Sequence, residues 1–137
     1  MNGGLALFRK KEEKPEFWKY DAKYLGGHAA YAKETDGKFY LYTDPKNKVV
    51  FESKKVNLEL PIGRIKDSKI ITEKEIRARR VLLTGVIGLA WKKKHKMLII
   101  DFEDELGNIQ SPVFEVDKID EVASKLYNIR LDFQSKK

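Results

Sequence analysis

Residues 97–130 read MLIIDFEDELGNIQSPVFEVDKIDEVASKLYNIR and contain the clearest strand and helix patterns of the chain. Residues 97–102 form an apolar run with alternating faces, which predicts a β-strand. Residues 105–108 contain a glycine and predict a hairpin connection. Residues 109–116 predict the returning strand, in which Pro112 indicates an edge or a bulge. The stretch therefore predicts an antiparallel sheet that is followed by a helix.

The helix is predicted over residues 118–130. Asp117 is a plausible N-cap residue, and Asp120 and Glu121 suit the positive end of the helix dipole. Apolar residues recur with the spacing i, i+3, i+4, i+7 and i+8, which predicts a stripe that faces a core. The residues of this stripe are Ile119, Val122, Ala123, Leu126 and Tyr127.

Further strands are predicted upstream. The first spans residues 24–34, with a bend or bulge at Gly26 and Gly27. The dipeptide Asp36-Gly37 predicts a tight hairpin turn before a strand over residues 38–43.

The next turn is predicted at residues 44–47, where Pro45 suits the second turn position. Val49, Val50 and Phe51 make a short strand. Residues 56–60 alternate apolar and polar side chains, which predicts a half-buried strand that Pro61 ends. Residues 68–76 predict a fifth strand, although a helical turn over residues 73–80 is an alternative.

Seven strands in a meander and one amphipathic helix predict a mainly β domain, or α+β by count of elements. A bent antiparallel barrel plugged by the C-terminal helix would protect the sheet edges. The sequence resembles the pleckstrin-homology-like (PH-like) superfold, in particular its GRAM-type and bacterial PH-like branches. The stretches that carry this resemblance are residues 37–43 with 49–52, residues 58–65, residues 97–102, and residues 113–116 with the helix.

The resemblance implies a binding scaffold, and a fold alone does not set a function. Phosphoinositide-binding members of the family have basic residues around the first hairpin, and Lys33 and Lys38 stand in similar places here. Tyr40 stands where those members have an arginine. The resemblance therefore implies at most a weak anion contact at Lys33 and Lys38, with plain solvent-facing lysines as the alternative.

Composition excludes several kinds of chemistry. The chain of 137 residues has no cysteine, which excludes thiol catalysis, disulfides and Cys-ligated metals, and it has only two histidines. We expect no metal and no cofactor. The predicted organisation is a mobile charged leader over residues 1–16, one domain over residues 17–133 and a disordered tail over residues 134–137. The net charge is +7, with +11 in residues 1–100 and −4 in residues 101–137, which indicates one positive and one negative side.

The most unusual stretch is residues 77–96, where two basic clusters bracket an apolar segment, residues 81–91. The apolar segment is too short to span a bilayer as a helix. It could be buried in the core or in a self-interface, it could rest on an anionic membrane between the two basic clusters, or it could bind another partner. The candidate contact residues are Arg79, Arg80, Leu89, Trp91, Lys92, Lys93, Lys94 and Lys96.

Catalysis is not expected. His28 stands alone on a predicted strand, His95 lies among lysines, and the carboxylates at 101, 103, 104 and 105 fit a solvated turn better than a calcium loop. We therefore expect a cytoplasmic, non-catalytic binding module without a small-molecule substrate. Its expected partner is a protein or a second copy of the chain, with peripheral contact to an anionic surface at the inner face of the membrane. The alternative is a basic β-domain that binds nucleic acid through phosphate contacts and the stacking of Tyr40, Tyr42 and Trp91.

Overall fold

Eight antiparallel strands and one long helix follow one another in the computed structural model, which describes residues 15–72, 74–76 and 96–136. A turn of 3₁₀ helix, Ile62–Arg64, links β4 to β5. The strands are β1 (Phe17–Gly26), β2 (Thr35–Tyr42), β3 (Lys48–Glu52), β4 (Asn57–Pro61), β5 (Ile65–Ile71), β6 (Met97–Glu103), β7 (Ile109–Gln110) and β8 (Val113–Val116), and the helix α1 is Ile119–Ser135.

The strands form one sheet in the order β4-β3-β2-β1-β8-β6-β5, and β7 pairs with β6. The sheet curls into a half-barrel with α1 following it, which confirms the predicted mainly β class and its C-terminal helix. The architecture is compatible with a PH-like fold.

Strand β1 belongs to both halves of the sheet. Residues from Phe17 to Tyr24 pair with β2, and residues from Ala22 to Gly26 pair with β8. The pairing with β8 shifts register between Tyr24 and Gly26, and Gly26 and Gly27 have positive φ angles of 127° and 99°. The predicted bend at the two glycines is therefore confirmed, because this backbone geometry is open to glycine and strained for other residues.

Aromatic rings and the helix fill the concave side of the sheet. Tyr24, Phe39, Phe51 and Phe114 are fully buried, and the Phe114 ring centroid lies 5.2–5.9 Å from those of the other three. Helix α1 adds a buried row at i, i+4 and i+7, namely Val122, Leu126 and Ile129. The helix therefore closes the core, as predicted.

The predicted hairpin turn at Asp36-Gly37 is wrong. Both residues lie inside β2, where Gly37 pairs with Ala22, and the chain reverses over residues 27–34 instead. The glycine is needed for close packing rather than for a turn. A Cβ atom on Gly37 would lie 2.4 Å from the Glu52 carbonyl oxygen and 2.7 Å from the Phe51 ring.

The first strand also differs from its prediction, because it begins at Phe17 rather than at residue 24. Strand β5 likewise begins and ends earlier than predicted. The helical alternative beyond it is observed at residues 74–76. The returning strand is split into β7 and β8 around Pro112, as that proline predicted.

Three details of the helix prediction are wrong. Lys118, with a φ angle of 55°, occupies the N-cap position, while the Asp117 backbone N–H donates to the Asp21 carbonyl oxygen at 2.9 Å. Tyr127, which the pattern placed on the buried stripe, is 55 % exposed. Ile129 is buried instead. The helix also extends to Ser135, five residues beyond the predicted end.

We predict that Leu126→Ala lowers the free energy of unfolding by about 2–5 kcal/mol, because the side chain is fully buried and its removal leaves a cavity. Tyr127→Ala, one residue away on the exposed side, is the control and should cost at most about 0.5 kcal/mol. Urea denaturation of both variants measures the difference. Equal losses for the two variants would contradict the packing of α1.

Candidate functional site

Three aromatic side chains lie together on the outer surface of the sheet, and we call them the aromatic face: Phe17, Tyr40 and Tyr42. Phe17 pairs with Tyr42 across β1 and β2, and it remains 39 % exposed. The Phe17 ring centroid lies 5.6 Å from that of Tyr40 and 5.2 Å from that of Tyr42. The two tyrosine rings stack at 6.0 Å. Because alternate strand residues point to opposite sides, the neighbours Phe39 and Leu41 lie in the core.

Lysines lie at the edge of this face, and they form ion pairs with carboxylates. The Nζ atoms of Lys46 and Lys48 lie 5.1 and 5.5 Å from the Tyr42 ring centroid. Lys46 pairs with Glu16 and Lys48 pairs with Glu59, each at 2.9 Å. The aromatic face therefore has a charged but electrically balanced rim.

The two lysines suggested as an anion contact are in different situations. Lys38 lies on β2 and forms an ion pair with Asp21. This hydrogen-bonded pairing raises the pKa of Lys38 and lowers the pKa of Asp21. Lys33 lies exposed in the connection between β1 and β2.

Most of the candidate contact residues lie outside the described residues: Arg79, Arg80, Leu89, Trp91, Lys92, Lys93 and Lys94. Lys96 is described, and its Nζ atom lies 3.5 Å from the Asp120 carboxylate. Ile71 pairs with Met97, so residues 77–95 connect the ends of β5 and β6, as the sequence indicated.

The positive charge is concentrated in the chain outside the described residues. The described residues carry 17 Lys and Arg and 18 Asp and Glu, a net charge of −1, whereas the whole chain has +7. Residues 77–95 alone contain six Lys and Arg and no Asp or Glu. The folded body that the structure describes is therefore close to neutral.

His28 lies in an open groove of about 440 Å³ between the β1–β2 connection, β4 and the β6–β7 hairpin. Its Nδ1 atom accepts a hydrogen bond from the Ala30 backbone N–H at 3.0 Å. Its ring lies 5.6 Å from that of Tyr31 and 5.8 Å from that of Phe102. Burial lowers the pKa of His28, which favours the neutral ring. The neutral Nδ1 atom can accept the hydrogen bond from Ala30 that holds the chain reversal.

The side chain of Asp104 forms hydrogen bonds within its own hairpin. Its Oδ1 atom accepts hydrogen bonds from the N–H groups of Leu106 and Asn108, both at 2.9 Å, and its Oδ2 atom accepts one from Gln110 at 2.8 Å. The bond from Gln110 and those from the backbone lower its pKa. Among the residues that the structure describes, no group of His, Asp and Glu has an arrangement that could hold a metal ion.

Comparison of the chain with protein-family models, with curated proteins and with solved structures finds no match in any of the three. Within residues 15–72, 74–76 and 96–136, no helix has the length and apolar character needed to cross a bilayer.

The sequence indicates the aromatic residues on β2 but not the aromatic face. Tyr40 and Tyr42 alternate with Phe39 and Leu41, so β2 is apolar on both sides and its outward tyrosines could have been noticed. Phe17 was the first residue of the predicted domain and lay before its first predicted strand. Its place beside Tyr42 depends on the register of β1 with β2.

We predict that His28→Asn flattens the dependence of stability on pH between about pH 7 and 5. The folded-state pKa of His28 lies below its ordinary value of 6.5. In this range the unfolded chain therefore binds more protons than the folded one, and stability falls as the pH falls. Asparagine offers an acceptor for the same turn and does not titrate.

Asp21→Asn is the control, because Asp21 also has a lowered carboxylate pKa and such a group affects stability below its ordinary value of 3.8. Thermal unfolding at a series of pH values separates the two effects. An unchanged slope between pH 7 and 5 in His28→Asn would show that this histidine is not the group responsible.

Proposed function

We propose that this chain is a non-catalytic, PH-like binding module that acts through protein–protein contact, and that a second copy of the chain is one of its partners. The observation that carries the proposal is the aromatic face, in which three adjacent rings remain partly open to water. Contiguous apolar groups with a polar rim are typical of interaction surfaces. Tyrosine is also one of the residues that dominate binding energies at interfaces.

The PH-like part of the proposal is supported by the strand order and by the half-barrel with its C-terminal helix. The non-catalytic part is supported by the roles of His28 and Asp104. Each uses its polar atoms to hold a turn of the backbone. Within the described residues, neither side chain belongs to a group that could hold a metal ion.

The charge pattern around the aromatic face favours a protein over a nucleic acid. Binding to nucleic acid depends strongly on basic groups that neutralise phosphates. Here Lys38, Lys46 and Lys48 already have carboxylate partners. The carboxylates of these pairs would repel a polyanion. A protein surface that carries both charges could instead form ion pairs with the lysines and the carboxylates of the rim.

A peripheral contact with an anionic membrane is the second candidate function. The observation that favours it is the concentration of positive charge in residues 77–95. Each Lys or Arg near an anionic surface contributes about 1 kcal/mol to binding. This contact would use a part of the chain other than the aromatic face, so the two functions are compatible.

We predict that the protein self-associates and that the double variant Phe17→Ser/Tyr42→Ser weakens this association at least about 10-fold, as expected when interface anchors are removed. Sedimentation velocity over a wide range of protein concentrations measures the change. Tyr127→Ser, which alters an exposed tyrosine on α1, is the control and should associate like the wild type. The melting temperature of each variant shows that it is folded. A wild-type protein that stays monomeric throughout would refute self-association.

For the membrane contact, we predict binding to vesicles that contain phosphatidylserine and none to neutral phosphatidylcholine vesicles, with the binding weakened by added salt. The variant Lys92→Ala/Lys93→Ala/Lys94→Ala should lose about 3 kcal/mol, or roughly 100-fold in partitioning. Lys46→Ala/Lys48→Ala, at the aromatic face, is the control and should bind almost normally. Co-sedimentation measures both. Salt-sensitive binding to single-stranded oligonucleotides without binding to vesicles would favour the nucleic-acid alternative instead.

A further inference from the structure

A second group of buried apolar side chains lies apart from the main core, and we call it the outer cluster. Its members are at most 2 % exposed. They come from β1, β5, β6 and β8 and from the helical residues 74–76. The outer cluster consists of Leu25, Ile71, Ile76, Met97, Ile99 and Val113.

The outer cluster lies on the convex side of the sheet. In β6, Leu98 and Ile100 belong to the main core, whereas Met97 and Ile99 belong to the outer cluster. In β8, Phe114 faces the main core and its neighbour Val113 does not. Because alternate strand residues point to opposite sides, the outer cluster needs a cover of its own.

Ile76 is the one member of the outer cluster that lies outside the strands. The chain continues from Ile76 into residues 77–95 and returns at Lys96 beside Met97, which is another member. Both ends of this 19-residue stretch therefore lie at the outer cluster.

We propose that the apolar segment, residues 81–91, packs on the outer cluster of the same molecule. Seven of its eleven residues are large and apolar: Val81, Leu82, Leu83, Val86, Ile87, Leu89 and Trp91. Packing on the outer cluster removes the apolar side chains of the segment from water, and it accounts for the low exposure of the cluster, at most 2 %. The two attachments also keep the segment at a high local concentration beside this face.

Charged residues lie around the outer cluster and beside the segment. The outward positions near the outer cluster carry both charges: Asp67, Asp101 and Glu115 are acidic, and Lys23 and Lys69 are basic. The segment is flanked by basic residues on both sides. Where the chain re-enters the described part, Lys96 pairs with Asp120 at the start of α1. The basic residues that follow the segment therefore end in an ion pair with the described part of the chain.

This placement is independent of the proposed partner contact at the aromatic face. It bears on the membrane contact, because an apolar segment packed on the sheet does not enter lipid. Binding to an anionic surface would then depend on the basic clusters alone and would be fully reversed by salt.

A fluorescence experiment on the full chain tests the packing. Trp18→Phe leaves Trp91 as the only tryptophan, since the chain has two. The chain has no cysteine, so Lys69→Cys can carry a single nitroxide label. Lys69 is exposed and pairs with Ile99 at the outer cluster. We expect the label at position 69 to quench Trp91 strongly, and a label on Lys54→Cys, in the β3–β4 turn, to quench it weakly.

Dilution and mixing distinguish the occupants of the outer cluster. Quenching that is unchanged on dilution and by excess unlabelled protein supports packing within one molecule. Quenching that disappears with either treatment would overturn the proposal in favour of a second copy. Equal weak quenching from positions 69 and 54, with Trp91 emission as in water, would also overturn it, and so would shielding of Trp91 only when anionic vesicles are added.

A matched pair of substitutions gives an independent readout. Ile99→Thr adds a hydroxyl to the outer cluster, whereas Ile109→Thr makes the same change at an isoleucine that is 56 % exposed. We expect the quenching of Trp91 by iodide to rise several-fold in Ile99→Thr and to stay at its original value in Ile109→Thr. Equal iodide quenching in both variants, with both folded by circular dichroism, would refute the contact.

Discussion

The close approach of Gly27 to the β7–β8 connection is the constraint on which the rest of the half-barrel depends. A Cβ atom on Gly27 would lie 2.0 Å from the Ser111 carbonyl oxygen, and the Ser111 N–H donates to the Gly27 carbonyl oxygen at 3.1 Å. This contact allows β1 to leave β2 and continue along β8. The four strands β1–β4 and the strands β8, β6 and β5 then form one curled sheet around a shared core. The aromatic face, the groove at His28 and the outer cluster all take their positions from that curl.

Charge and apolar surface are divided between different parts of this chain. The described body has a net charge of −1, and its aromatic face has ion pairs at the rim. Residues 77–95 carry six basic groups without one acidic group. The net charge of +7 thus comes from residues 77–95 and the termini rather than from the described body. A partner that recognises shape and aromatic contacts would use the body, whereas an anionic surface would meet the segment, so the two proposed contacts need not compete.

The sequence predicted elements whose signal is local and repeated. Residues 97–102 are apolar at five of six positions, which is typical of a buried strand. The buried positions of the helix recur at i, i+4 and i+7, so both elements could be identified. The dipeptide Asp36-Gly37 misled because glycine serves two physical purposes. It permits positive φ in a turn, and it permits backbones and rings to approach closely, as Gly37 does beside Glu52 and Phe51. The lysines and the two tyrosines of the candidate site could be read directly from the sequence. The aromatic face could not, because it joins residues 23 and more positions apart through strand register.

The contrast between the two outward apolar surfaces argues for different roles. Side chains of the outer cluster are excluded from water to the same degree as those of the main core. Phe17 on the aromatic face remains 39 % exposed, and its two tyrosine neighbours are only partly buried. Complete burial is typical of side chains packed inside a protein. Partly buried side chains still expose surface that can contact a partner. This contrast in burial agrees with the two proposals, packing by the chain's own residues on the outer cluster and contact with a second molecule at the aromatic face.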